Sequence, residues 1–343
     1  MSTPAMSTVG TSTADVAAGA WREPRAGASV TVRVPASSAN LGPGFDSVGI
    51  ALGVWDECTV TVTERPGVVV EVSGEGEGAV PLDASHLVVR SLAATTAHLG
   101  LPTPAGLHLR CTNAVPHSRG LGSSATAIVT GALAAAALCC PQATPFDDAA
   151  DPDVCARLLD VVNQVASALE GHPDNASASV YGGATVSVMT PGDAGPVTAT
   201  TRLPLHDDVA VLVCVPSTRL STALARSVLP ESVSLSTAAQ STARGALLVH
   251  ALTNDPSALM AGTVDVLHQE HRRASYPAAM SLVDELRAHG HAGVISGAGP
   301  SVLVLTTSAR VEQARVVAQS TPGWRVLSPD VPGDGCAVVT VIH

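Results

Sequence analysis

Lysine is missing altogether: all eighteen basic residues of this 343-residue chain are arginine. A Walker-type loop, which needs the lysine of GK[ST], cannot be built from it. Nor can the strand lysine of a protein kinase or the amine that anchors pyridoxal. Charge is also sparse, at 14% against 46% hydrophobic residues, which places the chain among folded globular proteins and not among disordered ones. The charge that exists sums to -11, so no nucleic-acid or membrane-surface partner is expected, both being anionic. The seven cysteines form no CxxC pair and no closely spaced even framework; they read as buried or free thiols in a reducing compartment. The first 28 residues lack a basic start and a continuous apolar run, which argues against a secretory signal and for a disordered tail over 1–28. The longest apolar stretch, Ala125 to Cys140, is interrupted by threonines and falls short of the about 18 residues a membrane span needs. A cytoplasmic location is expected.

The length suffices for two domains with their own cores. Strand-like runs at Ser29 to Val34, Cys58 to Thr63, Val68 to Val72 and Leu107 to Cys111 alternate with helical patterns at His86 to His98 and Val154 to Leu169. PGDAGP, Pro191 to Pro196, is the expected boundary, separating a first domain over 29–192 from a second over 193–343. Beyond it DVAVLVCV, GVIS, SVLVL and CAVVTVI read as strands, with helices near Leu235 to Ala251, Pro277 to His289 and Val311 to Gln319. This mixture of hairpins and crossover helices is α+β, with no fixed-period repeat.

One stretch stands out. PHSRGLGSSATAIVTGALAAAALCC, Pro116 to Cys140, runs a glycine-serine turn directly into an apolar helix. A helix start leaves backbone N–H groups unpartnered and carries partial positive charge, so a glycine turn there lets an anion reach bare amides. Gly120 and Gly122 supply the freedom, while Ser123 and Ser124 offer hydroxyls for a cap, a phosphate oxygen or magnesium. A capped core helix would show the same residues, and taken alone is the commoner case. Two further glycine-bearing segments, VPASSANLGPGFDSVGIAL (Val34 to Leu52) and GVISGAGPSVLVL (Gly293 to Leu305), supply the context.

With these three segments in this order, the chain from about Val30 onward resembles the GHMP kinase superfamily. SSANLGPGFD (Ser37 to Asp46) and GHPDN (Gly171 to Asn175) are similar, within it, to the homoserine kinase family. The resemblance implies an N-terminal domain of the ribosomal S5 domain 2 type and a C-terminal ferredoxin-like domain, with the active site in the cleft between them. It implies phosphoryl transfer from ATP to the hydroxyl of L-homoserine, in threonine biosynthesis, by a homodimer subject to threonine feedback.

It also implies roles for residues. Pro116, His117, Ser118, Arg119, Gly120, Leu121, Gly122, Ser123, Ser124 and Ala125 form the ATP loop. Homoserine carries a carboxylate, an ammonium and a hydroxyl, so its site calls for a guanidinium fork and carboxylates. Asp46 and Asp174 suit the ammonium; Asn40, His172 and Asn175 suit orientation. TALAR (Thr222 to Arg226) and HQEHR (His268 to Arg272) look like the segments bringing the carboxylate-binding arginines, Arg226 and Arg272, with Arg273 a competitor to the latter. Asp174 is the one nearby candidate for a base and is assigned first to substrate. For Mg2+ the resemblance implies a serine of the GLGSSA loop paired with a glutamate from the helix that precedes the substrate motif. Ser124 fits, and Glu170 is the one glutamate between Asp151 and Asn175, although its place directly before GHPDN departs from the family's. Where relatives have an asparagine near the adenine, this chain has His86, which either contacts the base or leaves that contact to backbone. A kinase for another small alcohol, and a non-catalytic sensor with the same fold, are the alternatives.

Overall fold

The computed structural model describes residues 21–147, 149–193, 195–220 and 222–343, with backbone alone at 222–224. The first domain is a sheet covered by helices. Its strands are β1 (Ser29–Asn40), β2 (Gly44–Val62), β3 (Gly67–Gly74), β4 (Gly106–Asn113), β5 (Ala184–Thr190) and β6 (Val197–Leu203), and its helices α1 (Leu87–His98), α2 (Ser123–Cys139), α3 (Pro152–Glu170) and α4 (Asp174–Tyr181). The second domain holds β7 (Val209–Pro216), α5 (Thr222–Ser227), α6 (Leu235–Thr253), α7 (Leu259–Gly262), α8 (Gln269–Arg272), α9 (Pro277–Ala288), β8 (Ala292–Ile295), β9 (Val302–Thr307), α10 (Val311–Ser320) and β10 (Trp324–Leu327). The chain closes with β11 (Ala337–Ile342).

The second sheet has the order β10-β7-β9-β8, the arrangement of a βαββαβ ferredoxin-like unit. The first runs β11-β1-β2-β4-β3, with β5 bridging β2 and β6. Two expected boundaries change. Pro191 to Pro196 falls inside the β5–β6 hairpin, and the first sheet therefore continues to Leu203 before the chain crosses over. The end of the chain then returns, β11 pairing antiparallel with β1 and covering what would be an open edge. Of the expected tail over 1–28, residues 1–20 lie outside the described residues, while Trp21 is buried in the first core and Arg22 N–H donates to the Cys139 carbonyl at 2.7 Å.

Local sequence explains the helices that frame the site. Asp151 caps α3 by accepting from Asp153 and Val154 N–H, Pro152 occupies the first turn, and Gly171 ends the helix in the left-handed region. From Ala125 to Cys139, α2 is buried at every position but Ala127, so its apolar, nearly featureless surface is the price of passing through the core between α1, α3 and β1. The hairpin β1–β2 extends well beyond the Ser29 to Val34 expected, through PASSAN, because these small residues are covered on both faces. A continuous apolar cluster joins Ala36, Leu41 and Ile50 at this end to Val213, Val294 and Leu303 of the second sheet and Leu248 of α6. The two domains are thereby packed into one cleft. No helix among the described residues is long and apolar enough to cross a membrane.

Candidate active site

Three glycine segments meet as one wall of the cleft. Ser37 N–H donates to Leu121 O at 3.2 Å, Gly297 N–H to Ala39 O at 3.1 Å and Ser301 N–H to Arg119 O at 3.2 Å. The Ser296 hydroxyl donates to Gly120 O at 2.6 Å and lies 2.8 Å from Ser38 Oγ. Gly122, at φ 71°, is the N-cap of α2 and supplies no side chain to its amides, so the helix start faces the cleft bare. A Cβ at Gly122 would land on Ser37 Oγ, and one at Gly120, at φ 74°, on the Ser296 carbonyl. Only glycine fits at either position. Arg119 points away, tying the loop to β7 through Pro216 O at 2.9 Å, and Pro116 and Leu121 are buried beneath it.

The loop borders a cavity of about 360 Å³ whose opposite wall is charged. Arg226 grips Asp46 with both arms, at 2.6 and 3.0 Å. Asp174, almost fully buried, accepts from Asn175 N–H at 2.8 Å and from His172 Nδ1 at 2.8 Å. Burial opposes charge on His172, but the Asp174 hydrogen bond and the charges of Asp174 and Glu170 outweigh it and raise its pKa. Asn40 lines the cavity with its side chain committed, Nδ2 to Gly297 O at 3.0 Å and Oδ1 to Asp46 N–H at 3.0 Å. Arg272 is 1% exposed. It donates to Ala225 O at 2.7 Å and approaches His268 Nδ1 at 3.3 Å, and among the described residues no carboxylate forms an ion pair with it. A buried guanidinium without an acid is costly, so this one is poised for an anion from outside. Arg273, next in sequence, is on the surface between Glu270 and Asp284 and drops out as a competitor. Thr222 opens α5, and its side chain lies outside the described residues.

Oxygen ligands for a hard cation sit where loop and charged wall meet. Burial raises the Glu170 pKa, while a hydrogen bond from Ser124 opposes that shift. A carboxylate and a hydroxyl side by side at a bare helix start suit Mg2+. Asp46, His172 and Asp174 also converge, but a histidine driven toward its protonated form is a poor ligand. Gln164, on the same helix, is turned away to β6 and bonded to Thr198.

Ser118, Ser123 and Ser124 also line a second cavity of about 190 Å³ on their far side, walled by His86, Val88, Asn113 and His117. His86 caps α1, its Nδ1 accepting from Val88 N–H at 3.3 Å. That places the proton of the neutral ring on Nε2. Burial pushes the pKa of both His86 and His117 down.

The structure thus brings Asn40, Asp46, Ser124, Glu170, His172, Asp174, Asn175, Arg226 and Arg272 to one cavity and puts His86 and His117 in the other. Three participants were not foreseen. Phe45 lies under both Arg226 and Arg272, 5.7 and 5.8 Å from its ring centre. His268 stacks on Phe45 and, through Nε2, donates to Gly42 O at 2.9 Å; its spacing of four from Arg272 was a readable signal. Asp56, in the side cavity, accepts from Ala114 and Val115 N–H at 2.7 and 2.9 Å. An acid on the face of β2 that also carries Cys58, Val60 and Val62 was a second signal.

The chain matches the GHMP kinases N terminal domain over residues 86–183 and the GHMP kinases C terminal domain over 247–321. The homoserine kinase of Mycolicibacterium vanbaalenii is 49% identical to it over 281 residues, 82% of this chain and 86% of that one. The homoserine kinase of Clavibacter michiganensis subsp. michiganensis is 44% identical over 318 residues, 91% of this chain and 95% of that one. Among solved structures, that of the homoserine kinase from Cytophaga hutchinsonii aligns with a TM-score of 0.74 at 25% identity, covering 92% of this chain and 97% of the other.

Proposed function

This chain belongs to the homoserine kinase family of the GHMP kinases, and from that premise we propose that it transfers the γ-phosphoryl group of ATP to the side-chain hydroxyl of L-homoserine in the larger cavity, supplying threonine biosynthesis. The observation that carries this reading is the content of that one cavity: an uncapped helix start at one end, and Asp46, Asp174 and the acid-free Arg272 at the other.

In this reading the amides of Gly122 to Ala125 hold the β- and γ-phosphates, and the side cavity takes the nucleoside, with His86 Nε2–H available to an acceptor on the base. Arg272 receives the substrate carboxylate. Arg226 supports it while keeping Asp46 oriented, and Asp46 and Asp174 face the ammonium. His172 and Asn175 steer the hydroxyl toward the phosphate end. Ser124 and Glu170 would hold Mg2+, which offsets charge on the phosphate oxygens when bound. Positioning and charge neutralisation do most of the work in such a transfer, and no residue here is assigned as a dedicated base. The seven cysteines are free, which supports the expected reducing, cytoplasmic setting; a homodimer remains part of the proposal.

The test is a magnesium-dependent ATP assay across homoserine, mevalonate, shikimate and galactose. Turnover of homoserine alone is expected. Preference for another alcohol would overturn the substrate, and silence on all four would overturn the kinase. Asp174→Asn should raise KM for homoserine far more than it lowers kcat; a pure kcat loss would make Asp174 a base.

A further inference from the structure

The side cavity contains a feature that phosphoryl transfer does not use. Cys58 of β2 and Cys111 of β4 are directly opposite in the antiparallel ladder, their sulfurs 3.2 Å apart, and both line this cavity. Opposed residues in such a ladder have Cα atoms about 4.5–5.5 Å apart, within the about 4.4–6.8 Å span that a disulfide bridges. Cys58 and Cys111 therefore face one another at bonding geometry on the wall of a cavity of about 190 Å³.

We propose that Cys58 and Cys111 form a dithiol site on the wall of the side cavity, which hydrogen peroxide converts into an intramolecular disulfide. The order of events follows from position. Cys111 is the less buried of the two, 5% against 2% exposed; either sulfur can donate in their hydrogen bond, and donation from the deeper Cys58 lowers the pKa of Cys111 and raises that of Cys58. Cys111 is the first thiolate. Its sulfur attacks one peroxide oxygen, an S–O bond forms, the O–O bond breaks, and the leaving hydroxide takes a proton to become water. The Cys58 sulfur then attacks the resulting sulfenic acid; the S–S bond forms, the S–O bond breaks, and the second oxygen leaves as water with the Cys58 proton. Two thiols and one peroxide become one disulfide and two waters.

The position connects this chemistry to the glycine-serine loop. Asp56, two residues before Cys58, holds the amides of Ala114 and Val115, the residues that lead into the glycine-serine loop. The dithiol thus sits on the strand pair from which that loop departs.

The experiment uses the intact protein under native conditions, treated with hydrogen peroxide, then denatured, alkylated and mapped by peptide mass. Two of the seven thiols are expected to disappear, with the peptides containing Cys58 and Cys111 joined. In Cys58→Ser, Cys111 should stop at a sulfenic acid that dimedone traps. In Cys111→Ser, Cys58 should stay reduced. Seven alkylated thiols, a disulfide between any other pair, or equal reactivity of the two variants overturns the proposal. The wild-type map needs no variant to fold. A parallel run with ATP tests the reading of this cavity as the nucleoside site, on which the dithiol does not depend. A Cys58–Cys111 disulfide forming equally fast with ATP counts against that reading and leaves the dithiol standing; ATP protection supports both.

Discussion

The two cavities that meet at Ser123 and Ser124 use the same residue types in opposite ways. In the larger one His172 is driven toward its charged form by Asp174 and Glu170; in the smaller, burial pushes His86 and His117 toward the neutral form. The larger cavity concentrates acids and arginines in a chain that has few of either. The smaller is walled mainly by neutral groups, with Asp56 turned to backbone amides. A small zwitterion has to be recognised by charge, whereas a flat heterocycle needs shape and single hydrogen bonds. The loop between them belongs to both.

That division can be broken at the shared loop first. Gly122→Ala puts a methyl group on Ser37 Oγ and a side chain in the left-handed region, displacing the helix start. Steady-state assays should show kcat/KM falling for ATP and homoserine alike, by about 10²-fold or more. A loss confined to one substrate would mean the loop serves one cavity alone.

Substitutions of the arginine pair sharpen the contrast. Arg272→Met, which keeps most of the volume while removing the charge, should raise KM for homoserine about 10²-fold and leave KM for ATP unchanged. Arg273→Ala, on the surface between two carboxylates, should change either constant by less than about twofold. Equal effects would show that burial did not select between neighbours.

A smaller effect is expected at His268, which links Arg272 to the Gly42 carbonyl. His268→Ala should raise KM for homoserine about tenfold at unaltered kcat, and His268→Gln, able to donate and accept, should restore most of it. A thermal-stability loss without the KM change would make it merely structural.

In the side cavity the expected effect is on stability and not on turnover. Burial pushes the Asp56 carboxyl up to about 6, with the Val115 and Ala114 amides working against it. The native state therefore keeps a proton that the unfolded chain releases from its ordinary value of 3.8 upward. Its stabilising contribution is complete below that value and is lost as pH climbs through about 6, amounting to at most ~3 kcal/mol. Across that window, melting curves should show wild type losing stability relative to Asp56→Asn. A constant difference would mean the carboxylate is already ionised throughout.

The parts legible beforehand were those carried by local chemistry. GLGSSA before an apolar run marked a helix start that an anion could reach, and α2 begins at Ser123 with no side-chain cap. The helix over Val154 to Leu169 carried its own cap and stop in Asp151, Pro152 and Gly171. What stayed hidden depended on partners distant in the chain. Pro191 to Pro196 has the composition of a linker but is a hairpin turn, since only the pairing of β5 with β6 distinguishes the two. Asn40 was expected to orient substrate, but that its amide is bonded to Gly297 and Asp46, one of them 257 positions away, was not readable from the sequence.

By itself the sequence determined which chemistry was open: a lysine-free anion site made of backbone, a reserve of arginines and acids, and the glycines that let three segments touch. Turn type, helix start and apolar patterning depend on near neighbours, so one strand of text contains them. Tertiary structure alone decided that Arg272 is buried without an acid while Arg273 is exposed with two, and that Glu170 reaches Ser124. It also set Cys58 against Cys111. Burial and pairing are properties of surfaces brought together by folding, and adjacent residues of the same type can therefore end in opposite environments.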